Sequence, residues 1–475
     1  MNLIIYGFCR GRKHMGTSGS QSARMAGYTS GAFGLSLFYN IMVLYLFYFY
    51  TDVFGITAAA AGTMFLVSRI WDGVNDPIMG AVVDRTRSRM GKFGPYILFG
   101  TIPLAIVTVL IFNPLFPDMT MGQKILYAYV TYILFGMLNT LVGIPYNSIQ
   151  ASITKNQKTR VRVVLGVRVF DMLGALVVAV LAFPLVRMLG GDNESLGFGR
   201  LSVIVASAAV LVLFASYGAS SRLIISSYKR DIETQSEKNS IAKSISVVKN
   251  NTPLLIIGIS LFLSLTATVV RQGSIIYYFI YNAGNEQAMP LFNLLTLGCT
   301  ALSMLIVPLC TDRLGKKRTA LYGAAVYLTG NILLFAAPPS SLILVYLFGM
   351  LGSIGTGITF VAVMSMLPDT VEYGEWKTGV RSEAVIYSIY SFIQKLSMAA
   401  AGALAGFLLT VSGYQAHTVQ TPEALWVIRS MLALFPAAAA VIGFICILNY
   451  DLTEERYTAI LQEIQERKTA SGVSG

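Results

Sequence analysis

The chain has 475 residues, of which 55% are hydrophobic and only 12% charged, with a mean hydropathy of +0.65. Soluble domains carry about a quarter charged residues, so this composition excludes a soluble globular protein and indicates a polytopic, all-α membrane protein. The net charge of +12 sits in short loops between apolar runs, which is the signature of membrane topology and not of a nucleic-acid-binding face.

In chain order, residues 1–30 hold Arg10, Arg12, Lys13 and Arg24 around a Gly/Ser-rich interval. They lack an apolar core of signal-peptide length and read as a cytoplasmic tail, with Met25 as an alternative start. Runs long enough to cross about 30 Å of hydrocarbon follow at 31–53, 59–83, 94–112, 124–150, 163–188, 200–220, 254–283, 288–310, 319–337, 340–366, 380–410 and 424–450. These are twelve transmembrane spans, several long enough to predict tilt or kinks. A polar central loop at 221–252 divides them into two six-helix halves, 31–220 and 253–450. In the tail at 451–475, Thr453 to Lys468 alternate glutamates with apolar residues, predicting a short amphipathic helix on the membrane or against the bundle.

Lysine and arginine fix the orientation. The loops after even-numbered spans hold Arg85, Arg87, Arg89 and Lys92, then Lys155, Lys158, Arg160 and Arg162, and further basic groups in 221–252, 313–318 and 377–381. The opposite loops hold only Lys124, Arg187 and Arg200. This asymmetry places both termini in the cytoplasm. Val83-Asp84-Arg85-Thr86-Arg87-Ser88-Arg89 after span 2 is answered by Thr311-Asp312-Arg313-Leu314-Gly315-Lys316-Lys317-Arg318 after span 8. Such an internal repeat fits two halves related about the membrane normal, the parallel repeat of the major facilitator fold.

Span 2 carries the chemistry. Asp72 and Asp76 are four residues apart, hence one above the other on one helix face. Carboxylates within a membrane span are costly and mark functional sites. Two so close favour holding a proton or another cation between them. Pro77 cannot donate to the carbonyl of Gly73, and with Asn75 the segment offers several hard oxygen ligands for Na⁺ or Li⁺. Arg69, Arg168, Arg271, Lys395 and Arg429 also fall within spans and are candidates for function. The cysteines lack CxxC spacing, and His14 and His417 lie outside the apolar runs. Neither disulfide, zinc site nor intramembrane histidine relay is indicated, and no nucleophile-base pair or metal-ligand cluster points to an enzyme.

Several stretches carry a resemblance. Tyr50-Thr51-Asp52-Val53-Phe54-Gly55, Arg69-Ile70-Trp71-Asp72-Gly73-Val74-Asn75-Asp76-Pro77-Ile78-Met79-Gly80 and Thr86-Arg87-Ser88-Arg89-Met90-Gly91-Lys92-Phe93 closely resemble the glycoside-pentoside-hexuronide:cation symporter family. Pro368-Asp369-Thr370-Val371-Glu372-Tyr373-Gly374-Glu375-Trp376, followed by Gly379-Val380-Arg381-Ser382-Glu383, resembles the family's loop between spans 10 and 11. Gly413-Tyr414 and Val419-Gln420-Thr421-Pro422 extend the likeness, which covers about 27–468.

The resemblance implies a Na⁺, Li⁺ or H⁺ site at Asp72, Asn75, Asp76 and Thr140, with Lys395 balancing the carboxylates when the cation is absent. It implies a sugar site at Arg168, Phe360 and Ser391. The aspartates of galactoside-carrying members in spans 1 and 4 correspond here to Ser36 and Gly143, and a span 4 tryptophan corresponds to Asn147. Loss of two carboxylates with Arg168 kept favours an anionic sugar such as a glucuronide. Asp171, three residues after Arg168 on the same helix face, pairs with it in the alternative reading, which admits a neutral glycoside or pentoside. Asp84, Arg85, Arg87, Asp369, Glu372 and Arg381 are suited to a charge network at the cytoplasmic mouth, the alternative being a solvated loop.

The expected function is secondary active symport at the bacterial inner membrane, by a monomer that needs no cofactor beyond its coupling ion. The competing readings are a lipid or drug carrier on the same fold and a non-transporting sugar sensor.

Overall fold

The computed structural model describes residues 17–86, 88, 90–115, 118–152, 157–231, 251–379 and 383–470. Among them run twelve long helices: α1 (Thr17–Tyr48), α2 (Ala58–Arg85), α3 (Gly94–Phe112), α4 (Met121–Ser152), α5 (Gln157–Gly190), α6 (Glu194–Asp231), α7 (Thr252–Tyr277), α8 (Met289–Leu314), α9 (Lys316–Ala336), α10 (Leu342–Met366), α11 (Glu383–Val411) and α12 (Pro422–Leu448). Eleven are apolar and long enough to cross a membrane. The exception is α2, whose apolar character is diluted by Arg69, Asp72, Asn75 and Asp76.

Local chemistry sets many of the boundaries. Asn251 caps α7 by accepting from the Leu254 amide, and Thr421 caps α12 by accepting from Ala424, each just ahead of a proline in the first turn. α1 begins at Thr17, before its apolar run, and Met25 and Tyr28 on it are buried in the first unit. π turns extend α1 (Phe49–Val53) and α7 (Tyr278–Asn282), and a third lies within α12 (Ser430–Leu434).

The chain forms two compact units, Met1–Phe49 with Trp71–Ser236, and Tyr50–Ile70 with Glu237–Gly475. Helix α2 therefore begins in the second unit and ends in the first. In the first unit, Met25, Tyr28, Val83, Phe93, Ile97, Tyr146, Ile149 and Val167 form one buried cluster. A second gathers Phe49, Phe112 and Phe198, with ring centroids 4.9–5.9 Å apart. Tyr28 and Tyr146 stack at 4.8 Å, and each hydroxyl donates to the other's backbone carbonyl, at 2.5 and 2.7 Å. That reciprocal tie fixes α1 against α4.

In the second unit, α9 and α10 touch backbone to backbone where Gly330 meets Gly352, an approach that a Cβ on Gly330 would forbid. The expected C-terminal amphipathic helix is present as Glu454–Ala470 and docks on this unit. Ile460 is buried in its core with Val371, Tyr373 and Tyr450. Trp376 donates its indole N–H to Glu463, and Arg467 donates to the Trp376 carbonyl.

Candidate functional site

Helix α2 turns Asp72 and Asn75 inward, at 5% and 2% exposure, and Ile70, Trp71, Val74 and Ile78 outward. The apolar face suits hydrocarbon. The acidic face meets α4 in register. Gly136 lies against Asp72, so closely that a Cβ there would be 2.6 Å from the carboxylate Oδ1. One turn on, Thr140 Oγ1 donates to Asp76 Oδ1 at 3.0 Å. Two helices thus match turn for turn, glycine to Asp72 and hydroxyl to Asp76. The amide nitrogen of Asn75 is buried without a hydrogen-bond partner. Rotating that amide by half a turn exchanges nitrogen for oxygen, which converts an orphaned donor into a ligand oxygen. Two carboxylates, an amide and a hydroxyl form a hard-oxygen set suited to a small monovalent cation. No group of three or more His, Cys, Asp or Glu capable of holding a metal occurs among the described residues.

A polar cavity of about 190 Å³ opens in the same unit, lined by residues including Ser36, Tyr39, Asn139, Gly143, Tyr146, Asn147, Gln150, Arg168 and Asp171. It gathers every N-terminal-half residue that the sequence associates with sugar. Gly143 faces open space, so the cavity wall has room for a side chain there. Gln150 donates to Asn147 Oδ1 at 3.1 Å, joining two amides on the cavity wall. Arg168 is exposed and Asp171 half-buried. The two lie one turn apart on α5, and among the described residues no ion pair closes between them. Tyr39, Asn139, Tyr146 and Gln150 escape sequence reasoning because nothing local separates a cavity-lining polar group in a helix from a packed one.

Phe360, Ser391 and Lys395 belong to the second unit. Ser391 and Lys395 lie one turn apart on α11, with Lys395 and Phe360 half-buried and Ser391 exposed. Of the residues expected at the cytoplasmic mouth, Arg87, Arg381 and the side chain of Asp84 lie outside the described ones, and Arg85 and Glu372 stand at helix ends. Asp369 forms an ion pair with Lys316 Nζ at 2.7 Å. The adjacent Lys316 backbone N–H donates to Glu454 at 2.5 Å, a carboxylate at the positive N-terminal end of α9. Lys317 Nζ donates to the carbonyls of Leu448 and Tyr450.

A second buried carboxylate lies in the Tyr50–Gly55 stretch. Asp52, 4% exposed, accepts from Thr51, Tyr281 and Tyr414 at 2.5–2.6 Å. Thr51 is also hydrogen-bonded to Tyr277 at 2.7 Å. His417, the one non-glycine residue with positive φ among those described, bonds through its ring to the Asp52 carbonyl and donates its backbone N–H to Tyr281. Two π turns, which often mark functional positions, supply Asp52 and Tyr281.

A different cleft, of about 470 Å³, lies between α11 and α12 and is lined by Phe407, Leu408, Val411, Pro422, Trp426 and Val427, with Ser412 and Glu423. Its apolar lining lacks the array of donors and acceptors that a sugar requires.

Comparison with known proteins identifies the family of the chain. The profile of the family described as MFS/sugar transport protein matches residues 27–454. The glucuronide carrier protein homolog of Escherichia coli K12 is 33% identical over 445 residues, covering 94% of this chain and 95% of that protein. The isoprimeverose transporter of Lactiplantibacillus pentosus is 33% identical over 450 residues, covering 93% and 92%. Among solved structures, a bacterial homologue of the iron transporter ferroportin in its inward-facing state aligns with a TM-score of 0.65 at 11% identity, covering 92% of this chain and 99% of that one. The nucleoside transporter NupG aligns with a TM-score of 0.59 at 12% identity, covering 90% and 100%. At such identities the structural likeness shows the fold alone.

Proposed function

The chain belongs to the MFS/sugar transport protein family, a transporter and not an enzyme, and on that footing we propose that it couples inward movement of a monovalent cation to uptake of a sugar. The cation, Na⁺, Li⁺ or H⁺, binds at Asp72, Asn75, Asp76 and Thr140. The sugar ring enters the cavity bounded by Asn147, Arg168 and Asp171. The two sites are exposed alternately to the two sides of a bacterial inner membrane, with both termini in the cytoplasm and the monomer as working unit. Cation binding raises sugar affinity, and linkage requires sugar to raise cation affinity by the same factor.

One observation carries this reading: the register by which Gly136 and Thr140 face Asp72 and Asp76, in the same unit as a polar cavity of monosaccharide dimensions. Support for sugar as the solute comes from relatives named for a glucuronide and for isoprimeverose. An exposed Arg168 without an ion pair to Asp171 favours an acidic sugar over a neutral one.

The test is uptake of methyl-β-D-glucuronide, methyl-β-D-glucoside and methyl-β-D-xyloside into proteoliposomes, under an inward Na⁺ gradient or an inward pH gradient. Accumulation above the external concentration under one gradient supports symport, with the glucuronide preferred. Equilibration without accumulation under either gradient rejects coupling.

A further inference from the structure

Ser36 lines the polar cavity, yet its surroundings describe a supporting job. It is 1% exposed. Its hydroxyl donates to the backbone carbonyl of Asp171 at 2.5 Å. The side-chain amide of Asn40, one turn further along α1, donates to both the hydroxyl and the carbonyl of Ser36 at 2.9 Å. Helix α5 comes in so close that a Cβ on Gly174 would lie 2.7 Å from the Cβ of Ser36. The Ser36 hydroxyl therefore has its donor used and one acceptor lone pair taken, and it is walled in by the neighbouring helix.

Asp171 lines the same cavity, half-buried, one turn from Arg168. A carboxylate offers two acceptor oxygens, which suits adjacent sugar hydroxyls, and hydrogen bonds to an ionised acceptor are about twice as strong as neutral ones.

We propose that Asp171 is the residue that reads the sugar hydroxyls, and that Asn40 and Ser36 are positioning residues that fix its backbone by the relay Asn40 to Ser36 to the Asp171 carbonyl. This rests on the cavity being the sugar site. The acidic reader of the cavity thus sits on span 5, and Ser36 on span 1 serves it from behind. Nothing in the sequence marks Asn40, since its partner lies on its own helix and its effect is delivered to another.

The experiment is a double-mutant cycle on transport of whichever of the three methyl glycosides the parent protein carries best, with thermal unfolding of each purified variant as a folding control. Asp171→Ala is expected to raise KM about 30-fold, the range for losing hydrogen bonds to a charged acceptor. Ser36→Ala and Asn40→Ala each raise it about fivefold, the effect of one neutral hydrogen bond, with kcat changed less than about twofold. With sugar held saturating for each variant, the cation concentration for half-maximal activation stays at the parent value in all three, since linkage shifts it only through sugar occupancy. In the Asp171→Ala background, Ser36→Ala and Asn40→Ala become silent, because residues that act as one unit are not additive. If Asp171→Ala does not fold, Asp171→Asn replaces it as the background.

An undiminished effect of Ser36→Ala without the Asp171 carboxylate overturns the assignment, because Ser36 then touches sugar itself. So does a fall in kcat at constant KM, or no effect of either relay variant. A parent protein that carries none of the three probes under either gradient removes the transport reading, and this inference with it.

Discussion

Gly136 faces Asp72 with no room for another atom, since a Cβ on the glycine would lie 2.6 Å from the carboxylate oxygen. Span 4 is thereby brought close enough for Thr140 to reach Asp76. Gly136→Ala is expected to push Asp72 out of place and weaken cation binding about tenfold, since overpacking costs about 1–3 kcal/mol. Sugar binding without added cation stays unchanged. Titrating uptake against cation concentration checks it: an unchanged half-activation constant would mean that the close approach does not serve the cation.

Thr140 and Asp76 separate ligation from electrostatics. Asp76→Cys removes the charge and is expected to abolish accumulation against a gradient while leaving exchange of sugar across the membrane measurable. Thr140→Ala removes one hydrogen-bond donor, about 1 kcal/mol, and is expected to weaken cation activation about fivefold, with Thr140→Ser restoring it. Accumulation surviving in Asp76→Cys would count decisively against this carboxylate as the coupling group.

The open space at Gly143 permits a gain-of-charge experiment. Gly143→Asp places a second carboxylate at the cavity that holds Asp171. A like charge facing an acidic sugar costs several kcal/mol, so uptake of methyl-β-D-glucuronide is expected to fall by at least about tenfold relative to methyl-β-D-glucoside. An unaltered preference in competition assays would place the acidic group of the sugar elsewhere.

Asp52 gathers Thr51, Tyr281 and Tyr414 around one buried carboxylate. Asp52→Ala removes the acceptor that three hydroxyl groups share and is expected to cost about 3 kcal/mol, in the range for breaking a buried charged network. Tyr414→Phe removes one donor and costs about 1 kcal/mol. Calorimetric or fluorescence-monitored unfolding of the purified protein reads both. Equal stabilities for the two variants would show that the carboxylate is not the centre of the network.

Much of the site is legible in the amino-acid sequence. Asp72, Asn75 and Asp76 stand out because a charge in an apolar span is locally anomalous, and the 3.6-residue period alone puts them on one face. Thr140 and Arg168 emerge only through resemblance, since a threonine or an arginine in a long helix has no local mark of function. Gly136 is invisible there. A glycine in a membrane helix is ordinary, and its role depends on what stands opposite, 64 positions back in the chain. Asp52 belongs to a recognisable stretch yet shows no role in it, because its meaning lies in hydroxyl groups more than 200 residues away.

By itself the sequence determined that the chain is an all-helical membrane protein, about where its long helices run and which of them carries charge into the membrane, but not that Asp369–Thr378, read as loop, is a helix. Those properties follow from apolar length, loop charge and helical period, which are local and add along the chain. Only the tertiary structure decided that Gly136 backs Asp72, that Asn40 and Ser36 hold Asp171, and that a helix from the C-terminal tail closes on Trp376 and Tyr373. Each of these depends on the rotation and depth at which one packed helix meets another, and those are set by side-chain volumes from distant segments at once.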